Sequence, residues 1–310
     1  VALEKAQEAE YRTALLSLQA EVAQDYVTIR LLLAEQALFA RTVEGRRHEL
    51  DLVLKRQAGG ASDQLDVYRA QAELASVEGS ALAVDQRLAG LRHALAPLVG
   101  KLPEEFTLDA APLASDPPGI PVGLPSELLE RRPDVAAAER RLASANAQIG
   151  VAKAAFFPSL GLTAFAGANS TAFNTLLHKS SEEWSVAPFV SLPLFRGGAN
   201  RANYERSKAA YEESVALYRQ QVLTAFRDVE DGLSDLRLLA AENAVADEAA
   251  SASRKAAELS LVRYKGGVAD YFEVIDSERT ALDAEIEAAQ LRGQRHLASI
   301  LLVKALGGGW

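Results

Sequence analysis

Residues able to attack a carbonyl, hold a metal or move a proton near neutral pH are sparse in this 310-residue chain. It has no Cys, and its four histidines, His48, His93, His178 and His296, are scattered without metal-ligand spacing. No GxSxG elbow, phosphate-cradling loop or nucleotide fingerprint occurs, so no enzyme activity and no cofactor are expected. Charged chemistry gathers instead in one phrase used twice: RQAGGASDQLDVYR (Arg56 to Arg69) and RYKGGVADYFEVID (Arg263 to Asp276), 207 positions apart. In the second copy Glu273 and Asp276 stand i and i+3 after the paired glycines, which puts both carboxylates on one face of a helix. Their first-copy equivalents are Asp66 and Arg69, so the strictly acidic pair belongs to the second copy. The plain alternative is a solvated helix face.

Proline and periodicity show what must position these residues. All eleven prolines fall between Pro97 and Pro193, which frees both flanks for very long helices. Tyr11, Leu15, Leu18, Val22, Tyr26, Ile29 and Leu33 step by threes and fours, as a coiled-coil seam does. A shift of 207 aligns Tyr11 to Gly100 with Tyr218 to Gly307 without a gap, so one helical hairpin is present twice. In each copy a helix of roughly 50 to 60 residues, about 75 to 90 Å long, reaches the turn and pairs with a returning helix of similar character. Gly59-Gly60 and Gly266-Gly267 stop the first helix, and Asp63 and Asp270 are placed to cap the next. A single kinked helix is the alternative, against which the cost of paired glycines counts.

Between the copies, Lys101 to Pro125 is proline-rich and reads as an irregular crossing segment. Ser126 is placed to cap a short ELLERR turn, Pro133 suits a first helical position, and an Ala-rich helix runs on until Pro158. Ser159 to Asn169 and Trp184 to Phe195 are extended, each about the 9 to 11 residues that a tilted strand needs to cross a bilayer. Phe156, Phe157, Trp184 and Phe195 lie near the strand ends, where an aromatic girdle belongs; a soluble hairpin packed on helices is the alternative. The expected segments are therefore 1–100 (first hairpin, turn at 57–63), 101–132 (crossing segment), 133–157 (helix), 158–196 (β-hairpin), 197–306 (second hairpin, turn at 264–270) and 307–310 (tail). The fold class is mainly α with a small β part. With 33 basic against 42 acidic residues, the net charge of -9 argues against nucleic acid as a partner. No run of about 18 apolar residues suggests a membrane-spanning helix. The chain has no Met, even at position 1, so the absence of a signal peptide says nothing about compartment.

The run PVGLPSELLERRPDVAAAERRLASANAQIGVAKAAFFPSLGL (Pro121 to Leu162) closely resembles the TolC-like outer-membrane factors of tripartite efflux pumps, and within them the lipoprotein branch. WSVAPFVSLPLFRGGANRA, RYKGGVADYFEVIDSERTAL and the closing KALGGGW extend the resemblance over essentially the whole chain. It implies a homotrimeric duct: long antiparallel hairpins forming an α-barrel through the periplasm, an equatorial belt, and a transmembrane β-hairpin contributing to a trimeric β-barrel in the Gram-negative outer membrane. The implied cargo is small molecules such as drugs, toxic compounds or metal ions. The implied partners are outer-membrane lipid, a periplasmic adaptor and an inner-membrane pump. Upstream, the resemblance implies a signal peptide, a lipid-bearing Cys and a first β-hairpin. It assigns the periplasmic constriction to Phe272 and Asp276, with Glu273 beside them and Arg279 tying the closed entrance. Phe272 stands where Leu is commoner. Adaptor contact falls at the tips, on Arg56, Gly59, Gly60, Asp63, Arg263, Gly266, Gly267 and Asp270. A soluble coiled-coil adaptor and a type I protein-secretion channel are the competing readings.

Overall fold

The structure, a computed structural model, describes residues 2–108, 113, 116–120 and 131–308. The expected cap at Ser126, residues 109–112, 114, 115 and 121–125 of the crossing segment and the end of the tail lie outside the described residues. Among the described residues five long helices and one β-hairpin follow in order: α1 (Ala2–Ala58), α2 (Gln64–Leu98), α3 (Pro133–Ala154), β1 (Ser159–Ala168), β2 (Glu182–Ser191), α4 (Ala199–Lys265) and α5 (Tyr271–Ala305). The chain divides into two compact units, residues 1–10 with 134–223, and residues 11–133 with 224–310.

In the first unit, β1 and β2 pair antiparallel from Ser159 opposite Ser191 to Ala168 opposite Glu182. Alternation along the strands sorts the side chains by chemistry. Leu160, Leu162, Ala164 and Ala166 share a face with Val190, Pro188, Val186 and Trp184, whereas Ser159, Gly161, Thr163, Phe165 and Gly167 share the other with Ser191, Phe189, Ala187, Ser185 and Glu183. One face is thus apolar along its whole length and exposed, whereas the other mixes Ser, Thr, Glu and Gly with the two rings of Phe165 and Phe189. The Phe189 ring lies over Gly161, where an added Cβ would come within 2.2 Å of it. Two short 3-10 turns, Phe173–Thr175 and Lys179–Ser181, join the strands. Beneath them Asn200 donates to the Ala155 carbonyl at 3.0 Å, and Phe156 meets Tyr204 edge to face.

The second unit holds the two hairpin tips. Both turns are Schellman motifs built on the same bonds. Ala61 N donates to Arg56 O (2.8 Å) and Gly60 N to Gln57 O (3.0 Å); Val268 N donates to Arg263 O (3.0 Å) and Gly267 N to Tyr264 O (3.0 Å). The residue that must turn left-handed is the second glycine of each pair, Gly60 at φ 75° and Gly267 at φ 76°. The far ends of α2 and α5 close the same way, with Lys101 N donating to Ala96 O and Gly308 N to Val303 O. Each equivalent pair is separated by 207 residues, so the sequence repeat is also a repeat of backbone hydrogen bonds.

The two arms of a hairpin are unequal. Helices α1 and α4 have 57 and 67 residues, but α2 and α5 have only 35 each. Pairing therefore extends over about 50 Å, the length of the return helix, and not over the expected 75 to 90 Å. The core between α1 and α2 is a strip of Ile29, Leu32, Phe39, Val77, Val84, Leu88 and Leu95, onto which Leu282 and Ile286 of α5 pack.

Replacing Gly267 with Ala forces an L side chain into the left-handed region and should cost about 1 to 2 kcal/mol. Gly266→Ala meets only ordinary contacts at 3.5 Å and should cost clearly less. Thermal unfolding of the detergent-solubilised protein checks the contrast; equal midpoints for the two variants would count against this turn.

Candidate functional site at the hairpin tips

Each return helix opens on an aspartate that caps it. Asp63 Oδ1 accepts from Asp66 N (3.0 Å) and Asp270 Oδ1 from Glu273 N (2.9 Å), satisfying backbone donors that the first turn leaves bare. The side chains then depart from the repeat. Tyr264 and Tyr271 of the second copy stand where the first has Gln57 and Gln64. The tyrosines are buried, with ring centroids 5.4 Å apart, among Val53, Val67, Ala70, Val274 and Ile275. The glutamines bond each other at 3.4 Å in an exposed position.

Arg56 crosses from the first hairpin to the second. Its guanidinium lies 4.5 Å from the Tyr264 ring centroid and donates from Nη1 to the Tyr264 carbonyl at 2.9 Å. Arg263, its equivalent, reaches only Glu273 of its own hairpin, at 3.3 Å between half-exposed groups. One turn below, the Tyr271 hydroxyl reaches Glu49 Oε2 at 3.5 Å, and Arg46 of α1 bonds both Glu49 and Glu278 of α5. Burial and the Glu49 charge hold Tyr271 well above the ordinary tyrosine range, so its hydroxyl keeps its proton.

The expected gate residues lie on the first three turns of α5. Phe272 is exposed, and the Arg69 guanidinium of the first hairpin stands 5.8 Å from its ring. Asp276 is exposed and Glu273 half-buried. Arg279 is drawn to the first hairpin: it grips Glu73 of α2 with two donors, Nε to Oε2 at 2.9 Å and Nη2 to Oε1. Glu73, and more weakly Asp276, raise the Arg279 pKa further, keeping it charged. Within the chain Asp276 is thus a neighbour of this pair and not the partner of Arg279. Of the girdle residues, Phe156 and Phe157 precede β1 and Phe195 follows β2, whereas Trp184 lies at the opposite end, paired with Ala166. All four side chains are exposed. Among the described residues no cluster of His, Cys, Asp and Glu could hold a metal ion, and no helix is long and apolar enough to cross a membrane.

Sequence reasoning missed Tyr264, Tyr271, Arg46, Glu49, Glu278 and Glu73. The signal available for the tyrosines was their replacement of glutamine within an otherwise faithful repeat.

Arg56→Ala removes a hydrogen bond and a cation–π contact and should cost about 1 to 2 kcal/mol. Arg263→Ala breaks a partly exposed pair worth about 0 to 1 kcal/mol. Hydrogen exchange of residues 264–275 should therefore speed up markedly in the first variant and little in the second; the reverse order would refute the assignment of Arg56 as the crossing residue.

The outer membrane efflux protein family model matches residues 2–101 and 124–308. Outer membrane protein OprJ of Pseudomonas aeruginosa is 37% identical over 307 residues, 96% of this chain. The cation efflux system protein CusC of Escherichia coli is 32% identical over 319 residues, the whole of this chain and 67% of its own length. The solved outer-membrane channel OprN superposes with a TM-score of 0.89 at 34% identity, covering all of this chain and 70% of that one. The chain spans only 63% of the length of OprJ. These likenesses run through both helical hairpins and the β-hairpin between them. The chain belongs to the outer membrane efflux protein family, and its place is the outer membrane.

Proposed function

We propose that the whole protein is the passive outer-membrane duct of a tripartite efflux system, carrying small molecules from an inner-membrane pump across the periplasm and outer membrane. The observation that carries this reading is that one chain joins a β-hairpin with one fully exposed apolar face to helical hairpins whose second tip bears exposed carboxylates. Each strand of a two-stranded sheet keeps an open edge, and open edges cannot face lipid, so the barrel is closed by further strands and by neighbouring protomers. A homotrimer places three copies of Phe272, Glu273 and Asp276 around one axis. Three carboxylates at a narrow mouth attract cations and repel anions.

In this reading the protein does no chemistry on its cargo and needs no cofactor. It is anchored by its barrel, with an N-terminal lipid on an upstream Cys as a second anchor. The aromatic side chains at the ends of the β-hairpin sit at the two membrane interfaces. The capped tips, with Arg56, Gly59, Gly60, Asp63, Arg263, Gly266, Gly267 and Asp270, are the surface offered to the periplasmic adaptor. Efflux of cations, named for CusC, is one cargo class compatible with an acidic mouth.

Asp276→Ala in the full-length trimer should raise single-channel conductance in planar bilayers and shift the reversal potential in a salt gradient toward zero cation preference. The change should be moderate, because each exposed charge contact is worth about 0 to 1 kcal/mol. Asp63→Ala, which removes a helix cap on the other hairpin, should alter both less. Unchanged conductance and selectivity in a trimeric Asp276→Ala channel would remove this residue from the mouth.

A further inference from the structure

Arg46 is enclosed between the two hairpins, with only 2% of its surface exposed. A single nitrogen, Nη1, donates to Glu49 Oε2 on its own helix (3.1 Å) and to Glu278 Oε2 on α5. Two carboxyl groups therefore meet at one donor. Carboxyl groups can bond each other only when one of them carries a proton. One guanidinium cannot balance two buried carboxylates, and no other cation among the described residues bonds either of them. Arg41 of α1 and Arg254 of α4 are both taken by Glu285 of α5, Glu258 of α4 adds a further negative charge to the same cleft, and Arg279 is taken by Glu73 of α2. The Nε and Nη2 groups of Arg46 meet no acceptor. The repeat did not supply this cluster: the positions equivalent to Arg46, Glu49 and Glu278 hold Ser253, Ala256 and Gln71. It occurs once, where α1 meets α5.

We propose that Glu278 is a proton-operated latch between the hairpins: protonated, it bonds Glu49 and closes α5 onto α1, and ionised, it is repelled by Glu49 and loosens that contact. Burial and Glu49 push the Glu278 pKa up to about 8, against 4.5 for the group in water. Between these values the closed junction holds a proton that the opened junction has lost, so rising pH favours opening. The closed form has its full stability below about pH 4.5, loses it progressively up to about pH 8 and changes no further beyond. Tyr271 stays neutral throughout this window. Glu278 lies two residues past Asp276 and next to Arg279, so its proton acts on the stretch of α5 that carries the tip carboxylates, and acidification tightens the tip. The latch is a property of the helix junction and does not depend on the duct reading.

Hydrogen exchange of the full-length protein between pH 5.5 and 8.5, corrected for the chemical exchange rate, tests it directly. In the wild type, protection of residues 271–282 should fall by up to about tenfold per pH unit and level off near pH 8, while residues 84–95 of α2 show no such slope. Glu278→Gln, a permanent mimic of the protonated form, should be flat and better protected than wild type at pH 8.5. Glu278→Asp should keep a slope. An equal slope in Glu278→Gln, or no slope in wild type, would overturn the proposal.

Discussion

A guanidinium shut away from water must find its counter-charge where it lies, and Arg46 finds it on both sides of a helix junction. That contact ties the register of α5 to α1, because a shift by one residue would carry Glu278 away from Arg46 and leave it only Glu49 of its own helix. With the register set, Tyr271 and Tyr264 fall into the layer above, and Arg56 closes that layer from the first hairpin. Only then do the two Schellman turns stand side by side.

Duplication copied the backbone more faithfully than the side chains. Both turns use the same hydrogen bonds, the same left-handed glycine and the same capping aspartate. What differs is which way the charges and rings reach. Arg56 spans to the neighbouring hairpin while Arg263 stays at home; tyrosines seal the second copy where glutamines face water in the first. The first hairpin thereby becomes the support, and the second presents Phe272, Glu273 and Asp276. A symmetric scaffold has acquired an asymmetric tip without any change in its turns.

Much of the fold was legible in the sequence because its signals are local. Exclusion of proline marked the long helices, paired glycines marked the turns, and Asp63 and Asp270 marked the caps, each through a few neighbouring residues. Gly, Thr, β-branched and aromatic side chains marked the strands, although the second was expected at Trp184 to Phe195 and runs from Glu182 to Ser191. The length of the paired segment was less well read, although Gly100 and Gly307, which end the return helices, are visible at their proper places. The partners at the tip were not legible at all. Glu73 and Arg279 are 206 residues apart and Arg46 and Glu278 are 232 apart. In a chain where 24% of residues are charged, no spacing rule selects such pairs. They follow from the register between hairpins, which depends on packing in three dimensions.

Whether the buried charges at Arg46 hold the two hairpin tips together can be measured as a distance. Because these 310 residues contain no Cys, spin labels can be placed at Lys55 of α1 and Val268 of the second turn and read by pulsed electron resonance in the spin-diluted full-length trimer. One narrow distance is expected in the wild-type background and a longer, broader distribution in Arg46→Met, which strands two carboxyl groups. A return to the narrow form is also expected when Glu49 and Glu278 are replaced by Leu as well, since an apolar set of similar volume can substitute for a buried ion cluster. An unchanged narrow distribution in Arg46→Met would contradict this role of Arg46.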